Sequence, residues 1–165
     1  PIIIKNLGLD PLCIYRKSNN KFIEFIIQSI RKKNGNYAPK GDIGAKKSYL
    51  WLRKGKSLAL LMDQKLNEGL SIDFLGKPAN TASFIADIAI RMNLDIVPIK
   101  FSRDINNHNI ITFYKKINMP KNNLSKNKKI SFILKQVNDV MSQWIKDQPE
   151  NWLWIHRRWQ KDLYV

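Results

Sequence analysis

Cysteine and long apolar runs are scarce in this sequence, and both scarcities limit the kind of protein it can be. The single cysteine, Cys13, cannot form an internal disulfide, so the fold depends on packing and hydrogen bonds. This suits a reducing compartment or a cytoplasmic membrane face. No apolar stretch reaches the roughly 18 to 20 residues of a membrane span, and the run 22–30 is interrupted by Glu24 and Gln28. No signal peptide is visible either.

Acidic residues are also few, which leaves the chain strongly basic. There are 29 Lys and Arg against 13 Asp and Glu, a formal net charge of +16. Such a surface favours an anionic partner, and nucleic acid, an acidic protein and a phosphorylated lipid surface all qualify. With 44% hydrophobic residues in 165, disorder is excluded and we expect a single domain over 1–165. Because the chain opens on Pro1 inside an apolar run, we also expect it to be part of a longer protein.

Apolar periodicity predicts alternating strands and helices, which is typical of an α/β fold with a mixed central sheet flanked by helices. Buried strands are predicted at 12–15 and 57–62, a further strand at 95–101, and a strand at 110–114 that pairs back on it as a hairpin. Helices are predicted at 22–33, 45–54, 81–92 and 130–148. Asn20 and Thr81 are candidate N-caps, and Gly55 is a candidate C-cap. The proline and glycines of 36–44 and the positive charge of 121–129 predict loops.

Polar residues follow two of the predicted strands directly. Asp63 and Gln64 come after the apolar run 57–62, and Arg16 comes after the strand that ends at Tyr15. Functional groups in α/β sheets commonly lie just past the carboxyl ends of buried strands, so these three residues are candidate site residues. An Asx turn at Asp63 is the alternative interpretation.

The C-terminal segment 152–159 crowds three Trp, two Arg and one of only two histidines into eight residues. Tryptophan beside arginine suits a membrane–water interface, with the ring at headgroup depth and the guanidinium on phosphate. A Trp-rich closing strand with its arginines in water is the alternative. The other histidine, His108, lies in an Asn-rich turn and is interpreted as an exposed loop residue. No Cys/His metal spacing, Walker loop or G-x-S-x-G elbow occurs, and we expect neither a metal nor a cofactor.

Six motifs in order make the sequence resemble the bacterial lipid A biosynthesis late acyltransferases, the lauroyl and myristoyl transferases, from about Leu12 to the C-terminus. They are Tyr15-Arg16, Lys40-Gly41, Leu60-Leu61-Met62-Asp63-Gln64-Lys65, Phe74-Leu75-Gly76 with Ala79-Asn80-Thr81, Val97-Pro98, and Trp154-Ile155-His156-Arg157-Arg158-Trp159. Leu75 departs from the family, which usually has a second phenylalanine there, and this suggests a local variation in packing.

The resemblance implies a lysophospholipid-acyltransferase-like fold, incomplete at the N-terminus, because one motif of the family is missing. The family reaction uses His-x-x-x-x-Glu or His-x-x-x-x-Asp, and neither His108 nor His156 is followed at that spacing by a carboxylate. The motif is therefore expected upstream of residue 1, and this chain alone is expected to be inactive. The residues that the resemblance implies in substrate binding are Arg16, Asp63, Gln64, His156, Arg157 and Arg158, with Trp154 and Trp159 at the membrane interface.

The same resemblance implies transfer of a fatty acyl group from acyl carrier protein to a phosphorylated glycolipid, a lipid A precursor. It places the chain at the cytoplasmic face of the bacterial inner membrane, with an anchor in a preceding segment. Another glycolipid acceptor, such as a phosphatidylinositol mannoside, is an open alternative. A basic nucleic-acid-binding module is a further alternative, although Phe22, Phe25 and Trp51 fall among apolar helix positions rather than on a stacking face, so we expect no specific nucleic acid.

Overall fold

The structure, a computed structural model, describes residues 2–64 and 66–164. Pro1, the start of the opening apolar run, and Lys65, the last residue of the strand-end motif, lie outside the described residues. The chain divides into two compact units, 1–61 and 62–165, which are described separately. The single domain expected from the sequence stays a prediction. Both units combine helices with strands, which confirms the α/β class.

The first unit is built on a three-stranded parallel sheet with the order β2-β1-β3. The strands are β1 (Leu12–Tyr15), β2 (Asn36–Pro39) and β3 (Leu58–Ala59). Leu12, in the central strand, is fully buried and pairs with both neighbours. The predicted strand at 12–15 is confirmed, whereas the predicted loop at 36–44 is wrong in its first half. Pro39 and Gly41 mark the end of a strand there, because a proline is tolerated at a strand terminus.

The predicted strand at 57–62 is wrong in length and in burial. Only Leu58 and Ala59 pair with β1, and both are half-buried. Leu61 is 72% exposed. A continuous apolar run forms a buried strand only where other elements pack on both faces of the sheet. The described residues do not cover this segment in that way.

Three helices accompany this sheet: α1 (Ile2–Asn6), α2 (Lys21–Asn34) and α3 (Asp42–Leu52). The predicted cap of α2 is confirmed, since Asn20 Oδ1 accepts hydrogen bonds from the backbone N–H groups of Phe22 and Ile23 at 2.9 and 3.2 Å. The predicted C-cap of α3 is wrong. Arg53 takes that position, and Gly55 adopts a left-handed conformation with φ of +70° in the turn that follows.

The close approach of α3 to β2 requires a glycine at position 44. Gly44 is buried, and a methyl group at its Cα would collide with the backbone carbonyl of Pro39. The buried hydroxyl of Ser48 donates to the Gly44 carbonyl, one turn earlier in α3, at 2.7 Å. Helix α3 and strand β2 therefore pack backbone to backbone at this point.

The second unit contains two antiparallel hairpins and two helices. The hairpins are β4 (Leu70–Phe74) with β5 (Lys77–Thr81) and β6 (Ile99–Arg103) with β7 (Asn109–Phe113), and the helices are α4 (Phe84–Met92) and α5 (Lys126–Asp147). Short 3-10 helices follow at Pro149–Asn151 and Lys161–Tyr164. The core between α4 and α5 consists of Ala86, Ala89, Ile96, Ile117, Ile130, Ile133, Leu134 and Val137.

The predictions for this unit are confirmed in part. The β6–β7 hairpin and the long C-terminal helix are present, although β6 starts at Ile99 and α5 already begins at Lys126. The β4–β5 hairpin was missed, and Thr81 is its last residue rather than a helix cap; Ser83 precedes α4 instead. The hairpin turn uses Leu75 and Gly76 with φ of +55° and +81°, the sign that a two-residue I′ turn needs at both positions.

No helix within 2–64 and 66–164 is long and apolar enough to cross a membrane.

Candidate functional site

The Trp-rich C-terminal segment packs onto the β4–β5 hairpin rather than forming a strand. Phe74, which is fully buried, lies with its ring centroid 5.8 Å from those of both Trp152 and Trp159. The Trp159 indole Nε1 donates to the Phe74 carbonyl at 3.2 Å. Trp152 also meets Trp154 edge to face at 4.6 Å. Four aromatic side chains thus anchor the segment that carries most of the candidate site residues.

Arg158 is the most deeply buried charged residue of this region, with 1% of its surface exposed. Its Nη1 donates to the Asn80 carbonyl and its Nη2 to the Thr81 hydroxyl, at 2.6 and 2.8 Å. The guanidinium also lies 4.9 Å from the Phe74 ring centroid. Burial lowers the pKa of Arg158, and the negative charge of Asp63 opposes that shift. An arginine nevertheless keeps its proton in proteins, so a positive charge sits inside this unit.

The same polar network reaches α5 through a buried asparagine. Asn138, fully buried, donates from Nδ2 to the Asp73 carbonyl at 2.9 Å and to the Thr81 hydroxyl at 3.2 Å. Thr81 in turn donates to the Ala79 carbonyl at 3.0 Å. Thr81 therefore joins the helix, the hairpin and Arg158 in one hydrogen-bonded cluster.

Asp63 contacts the Trp-rich segment, so the structure brings together two motifs that are far apart in the sequence. The Trp152 Nε1 donates to Asp63 Oδ2 at 3.3 Å, across 89 residues of chain. Asp63 is half-buried, and its neighbour Gln64 is exposed. The Asp63 carboxylate is therefore held by the Trp152 indole and acts through its charge on the buried guanidinium of Arg158.

One edge of the segment is open to solvent and combines apolar with basic side chains. Leu153, Trp154 and Ile155 are 55%, 55% and 85% exposed. His156 and Arg157 follow them and are exposed as well. We name residues 153–157 the exposed edge.

Arg158 is buried and Trp159 is half-buried, whereas the sequence led us to expect both at the surface. The Trp159 ring packs against Phe74, and both terminal nitrogens of Arg158 bond to the hairpin. Their assignment to the membrane interface and to the acceptor lipid stays a prediction. The two neighbouring arginines therefore differ: Arg157 faces solvent, and Arg158 holds the segment to β5.

Arg16 lies in the first unit, exposed, directly after β1. The loop that carries it is fixed by Glu24, a residue that the sequence marked only as an interruption of an apolar helix. The Glu24 carboxylate accepts from the Ser18 backbone N–H and the Tyr15 hydroxyl, both at 2.8 Å, and from the Gln28 amide at 2.9 Å. These bonds, the one from Ser18 first, lower the pKa of Glu24.

Residues 4–161 match the family model of the bacterial lipid A biosynthesis acyltransferases. The chain belongs to this family. A search of curated proteins finds no match. The resemblance seen in the sequence motifs is thereby confirmed, and the chain is an acyltransferase of lipid A biosynthesis by membership, a class of enzyme that uses an acyl donor and a lipid acceptor.

In this lipid A biosynthesis acyltransferase, buried contacts hold the C-terminal segment in place, and residues 153–157 stay exposed. The structure brings Asp63, Trp152 and Arg158 together, and it leaves the exposed edge free for contact with another molecule. Sequence reasoning missed Thr81 and Asn138 as parts of the supporting network. It assigned Thr81, a residue of the Ala79-Asn80-Thr81 motif, to a helix cap, and it gave no role to Asn138, a polar residue at a position of core spacing.

Proposed function

We propose that this chain serves in the transfer of a fatty acyl group from acyl carrier protein to a phosphorylated lipid A precursor at the cytoplasmic face of the inner membrane. The observation that carries the proposal is the family match over residues 4–161. The net charge of +16 supports it, since acyl carrier protein is acidic and the acceptor carries phosphate.

The exposed edge is our candidate for contact with the lipid surface. Trp154 and Ile155 offer apolar area, and Arg157 and His156 stand beside them in solvent. Aromatic rings beside arginine suit the headgroup region, where the ring is amphipathic and the guanidinium forks onto phosphate. We therefore assign Trp154 to the membrane interface and His156 and Arg157 to the acceptor lipid. For Arg158 and Trp159, the interior contacts support a positioning role in this structure.

Arg16, Asp63 and Gln64 are our candidates for contact with substrate at strand ends. Arg16 and Gln64 are exposed, so each can donate hydrogen bonds to an anionic or carbonyl group. Asp63, held by Trp152, cannot bind an anion directly and is better suited to orient a hydroxyl or a cationic side chain. We propose Arg16 for the phosphate or the acyl donor.

The catalytic base is proposed to lie on residues upstream of this sequence. In the family reaction a histidine, oriented by a Glu or Asp five residues further on, takes the proton of the acceptor hydroxyl. The alkoxide attacks the acyl thioester carbonyl, the new ester forms, and the carrier thiolate leaves and is protonated. The 165 residues contain no His-x-x-x-x-Glu or His-x-x-x-x-Asp, so we propose that this chain alone does not turn over.

Donor and acceptor are tested with the protein encoded by the complete coding region. The purified protein is offered an acyl-carrier-protein thioester or the matching free acid, and either a phosphorylated lipid A precursor or a phosphatidylinositol mannoside. We expect acylated product, detected by mass spectrometry, only with the thioester and the lipid A precursor. Product with the mannoside and none with the lipid A precursor would overturn the acceptor assignment, and transfer without the carrier thioester would overturn the donor.

A further inference from the structure

A basic pocket lies in the first unit, beside the C-terminal end of α2. Its volume is about 380 Å³, within the range of small-molecule sites. The described residues that line it include three cationic side chains and no carboxylate. Among them are Tyr15, Gln28, Arg31, Lys32, Tyr37 and Lys47.

Arg31 is held at this pocket by two tyrosine rings. Its guanidinium carbon lies 4.1 Å from the Tyr15 ring centroid and 5.4 Å from that of Tyr37. The two rings meet edge to face at 6.3 Å. Tyr15 and Tyr37 stand opposite Pro39 and Cys13 in the neighbouring parallel strands, so the sheet itself sets their positions. Stacking of this kind orients the planar guanidinium before any ligand arrives.

One terminal nitrogen of the Arg31 guanidinium is buried without a hydrogen-bond partner. This nitrogen is Nη1, and among residues 2–64 and 66–164 no ion pair forms at Arg31. Two carboxylates accept hydrogen bonds from residues that line the pocket: Glu24 from Tyr15 and Gln28, and Asp10 from Asn36. A buried charged donor without a partner is costly, which indicates that an acceptor is missing.

The helix dipole accounts for only part of this basic character. Arg31, Lys32 and Lys33 fall in the last turn of α2, where cations offset the partial negative charge of the helix end. That offset needs no pocket and no buried nitrogen. Lys47 comes from a different helix, and its Nζ donates to the Tyr37 carbonyl at 3.0 Å, which leaves two further N–H groups.

We propose that this pocket binds a phosphate group, with Arg31 as its principal donor and Lys32 and Lys47 adding positive charge. A planar guanidinium matches the geometry of phosphate oxygens, and three cations with no lining carboxylate suit a multiply charged anion better than a single carboxylate. The phosphate of a lipid headgroup, the phosphodiester of a phosphopantetheine arm and free phosphate share this chemistry. The assignment does not depend on which acyl transfer the protein performs.

The test measures phosphate binding with three probes. Inorganic phosphate and soluble phosphopantetheine are titrated by calorimetry, and vesicles of phosphatidylcholine with phosphatidic acid are sedimented with the protein. Arg31→Gln is compared with Arg53→Gln, a control at an exposed arginine of the same unit outside the pocket. We expect Arg31→Gln to weaken binding of at least one probe by about ten- to a hundred-fold and Arg53→Gln to leave it unchanged.

The pattern across probes identifies the source of the phosphate. Loss with inorganic phosphate assigns a free-phosphate site, whereas loss confined to phosphopantetheine or to phosphatidic acid vesicles assigns the donor arm or a headgroup. Should Arg31→Gln fail to fold, as judged by circular dichroism, Lys32→Gln at an exposed position is expected to weaken binding about two- to five-fold. Equal binding by wild type and the folded pocket variants, or no saturable binding of any probe, overturns the proposal.

Discussion

Arg158→Met tests whether the buried arginine holds the C-terminal segment in place. Methionine keeps much of the length and apolar stem but removes the guanidinium that donates to Asn80 and Thr81. Thr81 still receives a hydrogen bond from Asn138, whereas the Asn80 carbonyl loses the donor that Arg158 supplies. Arg157→Met is the matched control, because Arg157 is the adjacent residue and lies in solvent.

The magnitude follows from the contacts that are lost and the burial cost that is recovered. Two hydrogen bonds from a charged donor contribute about 1.5 to 3 kcal/mol each, and the contact with the Phe74 ring about 0.5 to 2 kcal/mol. Removing a buried charge recovers several kcal/mol of desolvation. We therefore expect a net loss of about 2 to 3 kcal/mol in the free energy of unfolding, which for a chain of this size lowers Tm by about 5 to 10 °C.

The assay is thermal unfolding followed by circular dichroism and by tryptophan fluorescence. Fluorescence should report the change, since Trp152 and Trp159 pack around Phe74 next to the guanidinium. Arg157→Met is expected to shift Tm by less than about 2 °C. If Arg158→Met unfolds at the temperature of Arg157→Met, Arg158 does not support the segment, and the reasoning from its hydrogen bonds is refuted.

Three further predictions address packing, pH and the lipid surface. Gly44→Ala should lower the free energy of unfolding by about 1 to 3 kcal/mol, because a methyl group meets the Pro39 carbonyl; denaturant titration measures it. Asp87, hydrogen-bonded to Lys126 at 2.8 Å, has its pKa lowered, so its contribution is present at neutral pH and disappears as pH falls through the folded-state pKa. Asp87→Asn should therefore cost about 0.5 to 1 kcal/mol at pH 7 and nothing near pH 2. Trp154→Ala should weaken sedimentation with anionic vesicles about three- to ten-fold.

Each of these predictions has a control that the chain itself supplies. Lys46→Ala, in α3 but exposed, should leave stability within about 0.5 kcal/mol of wild type. Asp139→Asn removes an exposed ion pair and should cost less than Asp87→Asn. Phe101→Ala removes an exposed aromatic of a hairpin and should leave vesicle binding unchanged. A variant that behaves like its control contradicts the role given to Gly44, Asp87 or Trp154.

Local signals in the sequence predicted those elements whose cause is itself local. The Asn20 cap and the long apolar stripe of α5 were found because capping and helical periodicity act over a few residues. Strand β2 was missed because it exists only by pairing with β1, across more than twenty residues of chain. The apolar stripe of α2 predicted a packed helix, yet Phe22 and Phe25 are 72% and 70% exposed.

The candidate site shows the same division between local and long-range causes. The sequence motifs pointed to Asp63 and to the Trp-rich segment, and the hydrogen bond from Trp152 to Asp63 joins the two. Nothing in the motif W-x-H-R-R-W distinguishes its two arginines, because burial depends on the Phe74 hairpin rather than on the neighbouring residues. The interior role of Arg158 and the partners Thr81 and Asn138 could only be learned from the packed chain.

The proposed acyl transfer needs a catalytic histidine, which we propose to lie upstream of these residues. The most direct measurement compares this chain with the protein from the complete coding region, each incubated with acyl-carrier-protein thioester and a phosphorylated lipid A precursor. Mass spectrometry should show one added acyl chain with the complete protein and none with this chain alone. Turnover by this chain without an upstream histidine, or no transfer by a complete protein that contains the His-x-x-x-x-Glu or His-x-x-x-x-Asp motif, would contradict the account.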